Sequence, residues 1–341
     1  MSHRITIAGA GAVSSAGWGV ESLWRAVEAG APLPSEALPH PSGDPGLARS
    51  VRRVPRPDPR PAFLAHPRLR RASAISHFAA AAALEAVGPE HLATIRNGTL
   101  RTGIVCSLLN GSVNYSARFH AEVLKDPATA SPMLFPETVF NAPASHVAAL
   151  LGITAPITTV LGDTAQFFPA VEIAIQWLLD DVVDTCLVIG VEEADWLTAE
   201  ALALLAPGAV LSEGAGALYL EKNGPGPLVA AVHGPCPVLS GRTAAAVRLF
   251  GDIIPSAEML LITDRSGDSA TDAPTAAAVG AWPGPQSHPR LVLGESLGAA
   301  AALQSVLAVK SLTSGSHSSV LAAATGGNMQ AAALELHFPG H

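Results

Sequence analysis

Residues 157–179, ITTVLGDTAQFFPAVEIAIQWLL, pass from a short apolar run through a polar turn into a second apolar run. The β-branched residues at 157–161 predict a buried strand, and the longer run at 170–179 predicts a helix. A side chain at such a turn lies at the end of a sheet with a helix N-terminus behind it, where backbone amides stabilise a negatively charged oxygen. Gln166 stands at the tip. Because an amide neither attacks as a nucleophile nor titrates, the turn has the place for a nucleophile but holds none.

The same alternation recurs along the chain. Short apolar runs predict further strands at 5–8, 104–107, 185–189, 217–220, 228–232, 259–262, 291–293 and 320–323. Ala-rich stretches predict helices at 20–29, 73–86, 143–151 and 299–312. This order predicts an α/β protein whose parallel or mixed sheet is covered on both faces. The two halves are alike at this level, which favours an internal duplication into residues 1–222 and 223–341 within one compact unit.

Composition excludes several classes of protein. Of 341 residues, 49 % are hydrophobic and 14 % charged, which suits a compact globule with a large buried interface. The net charge of −8 makes a nucleic-acid partner unexpected, and an anionic carrier would need a local basic patch or a basic partner. No run is long enough for a membrane span, and no signal peptide is recognisable. Three cysteines without metal-type spacing favour a reduced, cytoplasmic protein.

Two further segments invite functional interpretations. Residues 31–67 are proline-rich, contain five arginines and predict a surface excursion. The glycines of Gly9-Ala10-Gly11-Ala12-Val13-Ser14 resemble a dinucleotide fingerprint, but Ser14 replaces its third glycine and no acid follows a next strand. We therefore expect a plain tight turn there and no cofactor.

The segment Gly294-Glu295-Ser296-Leu297-Gly298 matches the nucleophile-elbow pattern of serine hydrolases, after the strand predicted at 291–293. Such an enzyme needs an acid and then a histidine downstream. No aspartate follows residue 298, and Glu335 and His337 lie together on a predicted last strand. A hydrolase built on Ser296 is the weaker alternative, and a plain strand-to-helix turn explains the same residues.

Several segments in the correct order resemble the β-ketoacyl synthases of the thiolase fold, over nearly the full length. The resemblance implies a layered α-β-α-β-α architecture built from two related halves. Near the C-terminus the family has a glycine-rich gating loop, whose phenylalanine is replaced by Thr325 before Gly326-Gly327-Asn328. The other matching segments are 5–30, 68–73, 139–160 (with Asn141 before a helix), CLVIGVEEAD at 186–195 and SEGAGA at 212–217.

The family's catalytic positions are the ones that differ. Its cysteine nucleophile is replaced by Gln166. Its first histidine opens a His-Gly-Thr run ending in aspartate, and the matching stretch at 264–272 places Asp264 there. Its second histidine follows a glycine before an Ala-rich helix, and Glu295 fills that position after Gly294.

These replacements predict a protein without ketosynthase activity. The family's condensation needs a thiolate to carry the acyl chain and two neutral imidazoles that donate hydrogen bonds to the thioester oxygen. An ionised carboxylate donates no hydrogen bond, and loss of one such donor costs about 3–4 kcal/mol. Burial that protonated Asp264 or Glu295 would restore a donor. Pairing of Asp264 with an arginine is the more ordinary outcome, and a metal site is not supported by ligand spacing.

The triple loss on an intact scaffold resembles the chain length factors of type II polyketide synthases, in which glutamine at the cysteine position is common. Such subunits act as heterodimers with an active ketosynthase and shape the far end of its acyl tunnel. The resemblance implies that the strand Ile157, Thr158, Thr159, Val160 and Leu161 pairs across the dimer axis. It also implies an acyl carrier protein as a partner, contacted by this chain or by the ketosynthase alone.

Tunnel residues are expected after the strand at 104–107. The first candidates are Leu108, Leu109, Ser112, Tyr115, Ser116 and Phe119, and the second are Met133, Leu134, Phe135 and Phe140. The spacing of the first set also fits one face of a helix, so a plain core stripe is an equal alternative.

A glutamine-type ketosynthase that only decarboxylates malonyl carriers is the main alternative. Those relatives also carry glutamine at the cysteine position but keep both histidines, so Asp264 and Glu295 weigh against it. The chain is shorter than usual chain length factors, mainly after residues 192–195. A compact branch serving reduced, polyene-type chains is one interpretation, whereas product length and reduction level are not encoded in any motif.

Overall fold

A computed structural model describes residues 4–237, 241–280, 282–327 and 330–338. Its strands are β1 (Ile5–Ser14), β2 (Gly17–Trp18), β3 (Glu36–Leu38), β4 (Arg49–Arg52), β5 (Thr102–Leu108), β6 (Ile157–Leu161), β7 (Thr185–Glu192), β8 (Leu211–Ser212), β9 (Gly214–Lys222), β10 (Leu228–Pro237), β11 (Met259–Ile262), β12 (Gln286–Ser287), β13 (Ser319–Thr325) and β14 (Gln330–His337). Its helices are α1 (Val20–Ala29), α2 (Ala74–Arg96), α3 (Val113–Lys125), α4 (Ala142–Leu151), α5 (Phe167–Leu179), α6 (Trp196–Leu205), α7 (Arg242–Gly251), α8 (Ser269–Val279), α9 (Pro289–Leu293) and α10 (Ala300–Thr313).

The strands form two half-sheets with the same pattern of directions. In the N-terminal half the order is β1-β9-β7-β5-β6, and in the C-terminal half it is β10-β14-β13-β11-β12. In both halves the first two pairings are antiparallel and the last two parallel. The half-sheets join where Thr6 of β1 pairs with Leu228 of β10. The predicted α/β fold of two related halves is confirmed, whereas a boundary between residues 222 and 223 remains a prediction.

Helices fill three layers around these half-sheets. Helices α5 and α10 contact strands of both halves and supply much of the largest buried cluster between them. Helices α2 and α4 cover the outer face of the N-terminal half-sheet, and α7 and α8 cover that of the C-terminal one. The predicted α-β-α-β-α layering therefore has a physical basis, because both faces of each apolar half-sheet need a helical cover.

The glycine segment at 9–14 is not the predicted tight turn. It continues β1 as far as Ser14, paired with β9. A Cβ atom at Gly9 would lie 2.0 Å from the carbonyl oxygen of Ala86, and one at Gly11 would lie 2.1 Å from that of Ala82. The glycines are therefore needed because α2 crosses the strand at backbone distance.

The predicted strand at 291–293 is also wrong. These residues complete α9, which begins with Pro289 at its first turn, a position where proline's missing N–H has no cost. The short apolar run could not distinguish a strand from a helix. Predicted bounds match for α1, β6 and β11.

The segment at 31–67 is mostly exposed, as predicted, but it is anchored. Strand β4 pairs with β3 on one side and with β8 on the other. Val51 and Leu64 are buried. Among the described residues, no helix is long and apolar enough to cross a membrane.

Candidate functional site

The turn after β6 holds Gln166 at the end of a short 3-10 helix, Thr164–Gln166, which runs directly into α5. The side chain is half-buried. Its Oε1 accepts a hydrogen bond from Nε2 of Gln330, the first residue of β14, at 2.6 Å. The position predicted to correspond to a nucleophile therefore holds an amide that is already bonded within the chain.

Asp264 follows β11 and is buried. Its carboxylate accepts from Oγ1 of Thr275 on α8 at 3.0 Å and from the N–H of Thr325 at 2.5 Å. The arginine partner expected for Asp264 is wrong: among the described residues no cation lies within ion-pair distance of it. Both carboxylate oxygens act as acceptors, so the group is set to receive hydrogen bonds rather than to donate one.

The arginine instead pairs with Glu295. Arg290 Nη1 donates to Glu295 Oε2, both side chains are 6 % exposed, and the N–H of Leu297 donates to Glu295 Oε1 at 2.8 Å. Burial raises the pKa of Glu295, while the charge of Arg290 and the Leu297 amide oppose that rise. Since both oxygens accept donors, we assign Glu295 as the acceptor of a buried ion pair.

Glu295 borders a cavity of about 400 Å³, whereas Gln166 and Asp264 are not among its lining residues. Glu295, Thr325, Gly327 and Leu109 lie on its wall, and Asp264 reaches it through its bond to Thr325. Its other lining residues are Asp163, Thr164, Leu202, Leu205, Ala206, Ala209, Arg242, Ser266, Thr271, Arg290 and Leu297. Histidine and cysteine are absent from this lining in the described part of the chain.

The glycine-rich segment closes one side of the cavity. Thr325 ends β13 and is buried between Asp264 and Thr275. The hydroxyl oxygens of Thr275 and Thr325 lie 3.0 Å apart. A Cβ atom at Gly326 would lie 2.2 Å from the carboxylate oxygens of Asp163, so a larger residue at this position would require the Asp163 side chain to move. The predicted Asn328 lies outside the described residues.

Other nucleophiles do not reach this cavity. Cys106, Cys186 and Cys236 are free and buried in the core, and burial, helped by the charge of Glu192, raises the pKa of Cys106 to about 12. Ser296 is buried and follows α9, so the strand that a nucleophile elbow requires is missing. Within the described ranges, no group of three or more histidine, cysteine or acidic side chains is placed to hold a metal ion.

The N-terminal part of the chain matches a known protein family. Residues 2–224 match the family model described as the β-ketoacyl synthase N-terminal domain. The chain belongs to the β-ketoacyl synthase family. No curated protein sequence matches it significantly.

Solved structures similar to this β-ketoacyl synthase family member cover almost all of both chains. A chain of the ishigamide ketosynthase/chain length factor is 21 % identical with a TM-score of 0.75, over 99 % of this chain and 100 % of that one. A chain of the complex of the ketosynthase ApeO with its chain length factor ApeC, from Xenorhabdus doucetiae, is 16 % identical with a TM-score of 0.78, over 98 % of each. A chain of AntDE:AntF, a type II acyl-carrier protein with its ketosynthase, is 16 % identical with a TM-score of 0.76, over 99 % and 100 %. At these identities the likeness confirms the thiolase-type fold.

The strand at the end of the described sheet differs from the cavity, because its apolar side chains are exposed. Strand β6 ends the described sheet and pairs only with β5. Its Ile157 and Leu161 are 40 % and 46 % exposed. Leu161 pairs with Leu108, and Phe140 packs on Gly111 just beyond Leu108. We call β6 and residues 133–140 the edge region: β6 runs beside β5 from Ile157 to Leu161, and Phe140 lies near Gly111, just beyond the carboxyl end of β5.

The predicted tunnel residues fall into three environments. Leu108 is fully buried in the core under α2, Leu109 lines the cavity, and Ser112 is buried at the start of α3. On α3, Tyr115 OH donates to the carbonyl of Arg71 at 2.8 Å and the Phe119 ring lies 5.7 Å from that of Phe135. The remaining candidates are half-buried Ser116, buried Leu134, and exposed Met133, Phe135 and Phe140. Because α3 has no buried residue, the alternative of a core stripe does not describe residues 115–119.

Sequence analysis missed Arg290, Thr275 and Gln330, the partners of the three replaced positions. The wrong strand at 291–293 hid Arg290. In an extended strand it would lie far from Glu295, whereas helix α9 and the left-handed Gly294 (φ 94°) fold it back. Thr275 and Gln330 come from α8 and β14, so only the tertiary fold brings them to residues 264 and 166.

Proposed function

We propose that this chain is a non-catalytic subunit of the chain-length-factor type, which pairs with an active β-ketoacyl synthase and shapes its acyl tunnel. The observation that carries the proposal is that residues 166, 264 and 295 hold an amide and two carboxylates, each already bonded inside the chain. The chain therefore has the fold of the family without the cysteine and the two histidines that carry out its reaction.

The chemistry of condensation supports this interpretation. An enolate formed from a malonyl group needs hydrogen-bond donors, and each lost donor of this kind costs about 3–4 kcal/mol. Asp264 and Glu295 present acceptor oxygens at both donor positions. A glutamine-type decarboxylase would need those same donors, so this alternative is less favoured, and no observation supports the hydrolase.

The edge region supports a protein partner. An unpaired strand edge with exposed apolar side chains is a ready pairing site, which natural monomers normally protect. One of the similar solved structures is a complex of the ketosynthase ApeO with its chain length factor ApeC. We propose that β6 of this chain meets its counterpart in an active ketosynthase, giving a heterodimer.

The carrier protein, the product and the cellular location complete the proposed function. An acyl carrier protein delivers the growing chain, docking on the partner or on this chain, as AntF is bound to its ketosynthase. The product is a polyketide, with a polyene-type chain favoured by the compact form after residue 195. The three free, buried cysteines are consistent with a reducing, cytoplasmic location.

Reconstitution tests this function. The chain is co-expressed with an active β-ketoacyl synthase that carries the family's cysteine and two histidines, and complex formation and carrier-bound products are measured by size exclusion and mass spectrometry. We expect one complex and products only when both are present. The matched variants are cysteine→Ala in the partner, which should abolish product, and Gln166→Ala here, which should not. Loss of product with Gln166→Ala in an intact complex would assign this chain a catalytic role.

A further inference from the structure

Two helices begin side by side without capping themselves. Helix α2 has Ser73 at its N-cap and α3 has Ser112, and neither serine accepts a hydrogen bond from its own helix. Instead, Ser73 Oγ donates to Ser112 Oγ at 3.1 Å, and both residues are buried. The first amides of each helix therefore need an acceptor from elsewhere, because a buried helix end without one is unfavourable.

Glu193 supplies that acceptor to both helices. Its Oε2 accepts from the N–H of Ile75 at 3.2 Å and its Oε1 from the N–H of Asn114 at 2.9 Å. Each amide belongs to the second residue of its helix, the position that an N-cap side chain normally serves. Glu193 follows β7 directly and is 1 % exposed, so a rigid central strand carries the cap.

The position of α3 depends strongly on this anchor. No residue of α3 itself is buried, so little apolar packing fixes it. Asn114 adds a bond from Nδ2 to the carbonyl of Ala194 at 3.2 Å, and the Tyr115 hydroxyl bonds the carbonyl of Arg71 just before α2. These contacts all lie in the first turn of α3 and its neighbour α2.

We propose that Glu193 is a positioning residue that sets the face of α3 carrying Tyr115, Ser116 and Phe119, and thereby the length of the acyl tunnel. This inference rests on the proposed function. The carboxylate acts through the helix and touches no acyl chain. Loss of both caps should let α3 shift or fray, changing the space that the growing chain fills.

Glu213 is a matched control within the same cluster. It is also buried and also accepts backbone N–H groups, from Ala194 at 3.0 Å and Val54 at 3.1 Å, with Arg53 as an ion-pair partner. Burial raises the pKa of both Glu193 and Glu213. Glu213 makes none of its bonds to α3, so its replacement separates helix positioning from general loss of stability.

The experiment compares the complex with its ketosynthase partner carrying wild-type chain, Glu193→Ala, Glu193→Gln, Ser112→Ala or Glu213→Gln. Assembly, total product and the ratio of long to short products are measured. We expect Glu193→Ala to change that ratio about fivefold, the population change expected for loss of the cap on α3, the helix that carries the tunnel residues. Glu193→Gln and Ser112→Ala should change it less, and Glu213→Gln should leave it unchanged.

Hydrogen exchange of the isolated chain provides a readout independent of the partner, with faster exchange across α3 expected for Glu193→Ala only. An unchanged ratio in assembled Glu193→Ala, or an equal change in Glu213→Gln, overturns the positioning role. Failure of the wild-type chain to assemble or to support any product overturns the proposed function and, with it, the tunnel role. Unchanged hydrogen exchange across α3 in Glu193→Ala overturns the claim that Glu193 anchors this helix.

Discussion

The cavity and the edge region differ in whether their groups have partners within the chain. Around the cavity, Gln166, Asp264 and Glu295 are each bonded to partners within the chain. At the edge region, β6 has one unpaired edge, and Met133, Phe135 and Phe140 are 61 %, 57 % and 44 % exposed. The three positions predicted to replace the family's catalytic residues are bonded within the chain, whereas β6, which leads directly into the turn with Gln166, has an unpaired edge.

This difference shows where the chain depends on something outside itself. Groups that await a substrate are kept available, whereas those at 166, 264 and 295 are committed to structural bonds. Exposure of apolar side chains to water is unfavourable. An unpaired strand edge is a ready site for pairing with another strand, so both features favour coverage by a second surface. Substitutions at both regions test this difference.

Leu161→Lys should abolish assembly. A charge without a partner, buried in an interface, costs about 3–5 kcal/mol, or at least 100-fold in Kd. Co-purification with the ketosynthase and analytical ultracentrifugation measure this loss. Ile254→Lys, at an apolar residue that is 87 % exposed after α7, is the control and should assemble normally. Normal assembly of Leu161→Lys would place the interface elsewhere.

Glu295→Ala should destabilise the isolated chain by about 3–5 kcal/mol, because it leaves the buried Arg290 without a counter-charge. Urea unfolding measures this change. The double variant Arg290→Met/Glu295→Leu removes both charges and should recover most of the stability. A Glu295→Ala variant as stable as wild type would mean that the ion pair does not hold the cavity wall.

Glu192 gives a pH-dependent test beside the cavity. Burial raises its pKa to about 8, against hydrogen bonds from the amides of Leu109 and Asn110. The folded chain therefore keeps a proton that the unfolded chain loses near pH 4.5. Its contribution is fully present below pH 4.5 and is lost as pH rises to about 8, by up to about 1.4 kcal/mol per unit.

Unfolding of wild type and Glu192→Gln across pH 5–9 measures this contribution, because only the wild type should show that extra slope. Glu221→Gln, at a half-buried site on β9, is the control and should keep the wild-type slope. Parallel curves for wild type and Glu192→Gln would show that Glu192 is ionised throughout.

Tyr115→Ala and Phe119→Ala should have the smallest effect on total yield and act on product length. Removing either half-buried ring from α3 enlarges the space beside the edge region, so we expect longer products without loss of synthesis. Mass spectrometry of products from the assembled complex measures the shift. Leu124→Ala, at an exposed residue further along α3, is the control. Unchanged length in both variants would remove these residues from the tunnel.

Sequence predicted the frame of the molecule better than its details. Short apolar and β-branched runs located β6 and β11 with their correct bounds. The expectation that the strand at 157–161 is buried was wrong, because β6 lies at the edge of the described sheet and none of its residues is buried. The same rule failed at 291–293, where a buried helix of five residues has the same composition. It also failed at 9–14, where the glycines allow the approach of α2 and do not form a turn.

The site shows the same limit. Gln166 was found from the local pattern of its turn, whereas Asp264 and Glu295 were assigned through the resemblance to the β-ketoacyl synthases. Their partners were not, since Thr275, Gln330 and Arg290 become neighbours through tertiary contacts or a misassigned helix. Glu193 caps two helices by accepting from the amides of Ile75 and Asn114, and no local sequence pattern connects these three residues.

The most direct test of the central claim uses the purified chain alone with a carrier protein loaded with radiolabelled malonate. Release of CO2 and the intact mass of the chain are followed over time. The chain should release no more CO2 than the loaded carrier does by itself and should gain no acyl group. Decarboxylation, elongation or covalent acylation without a ketosynthase present would contradict the account.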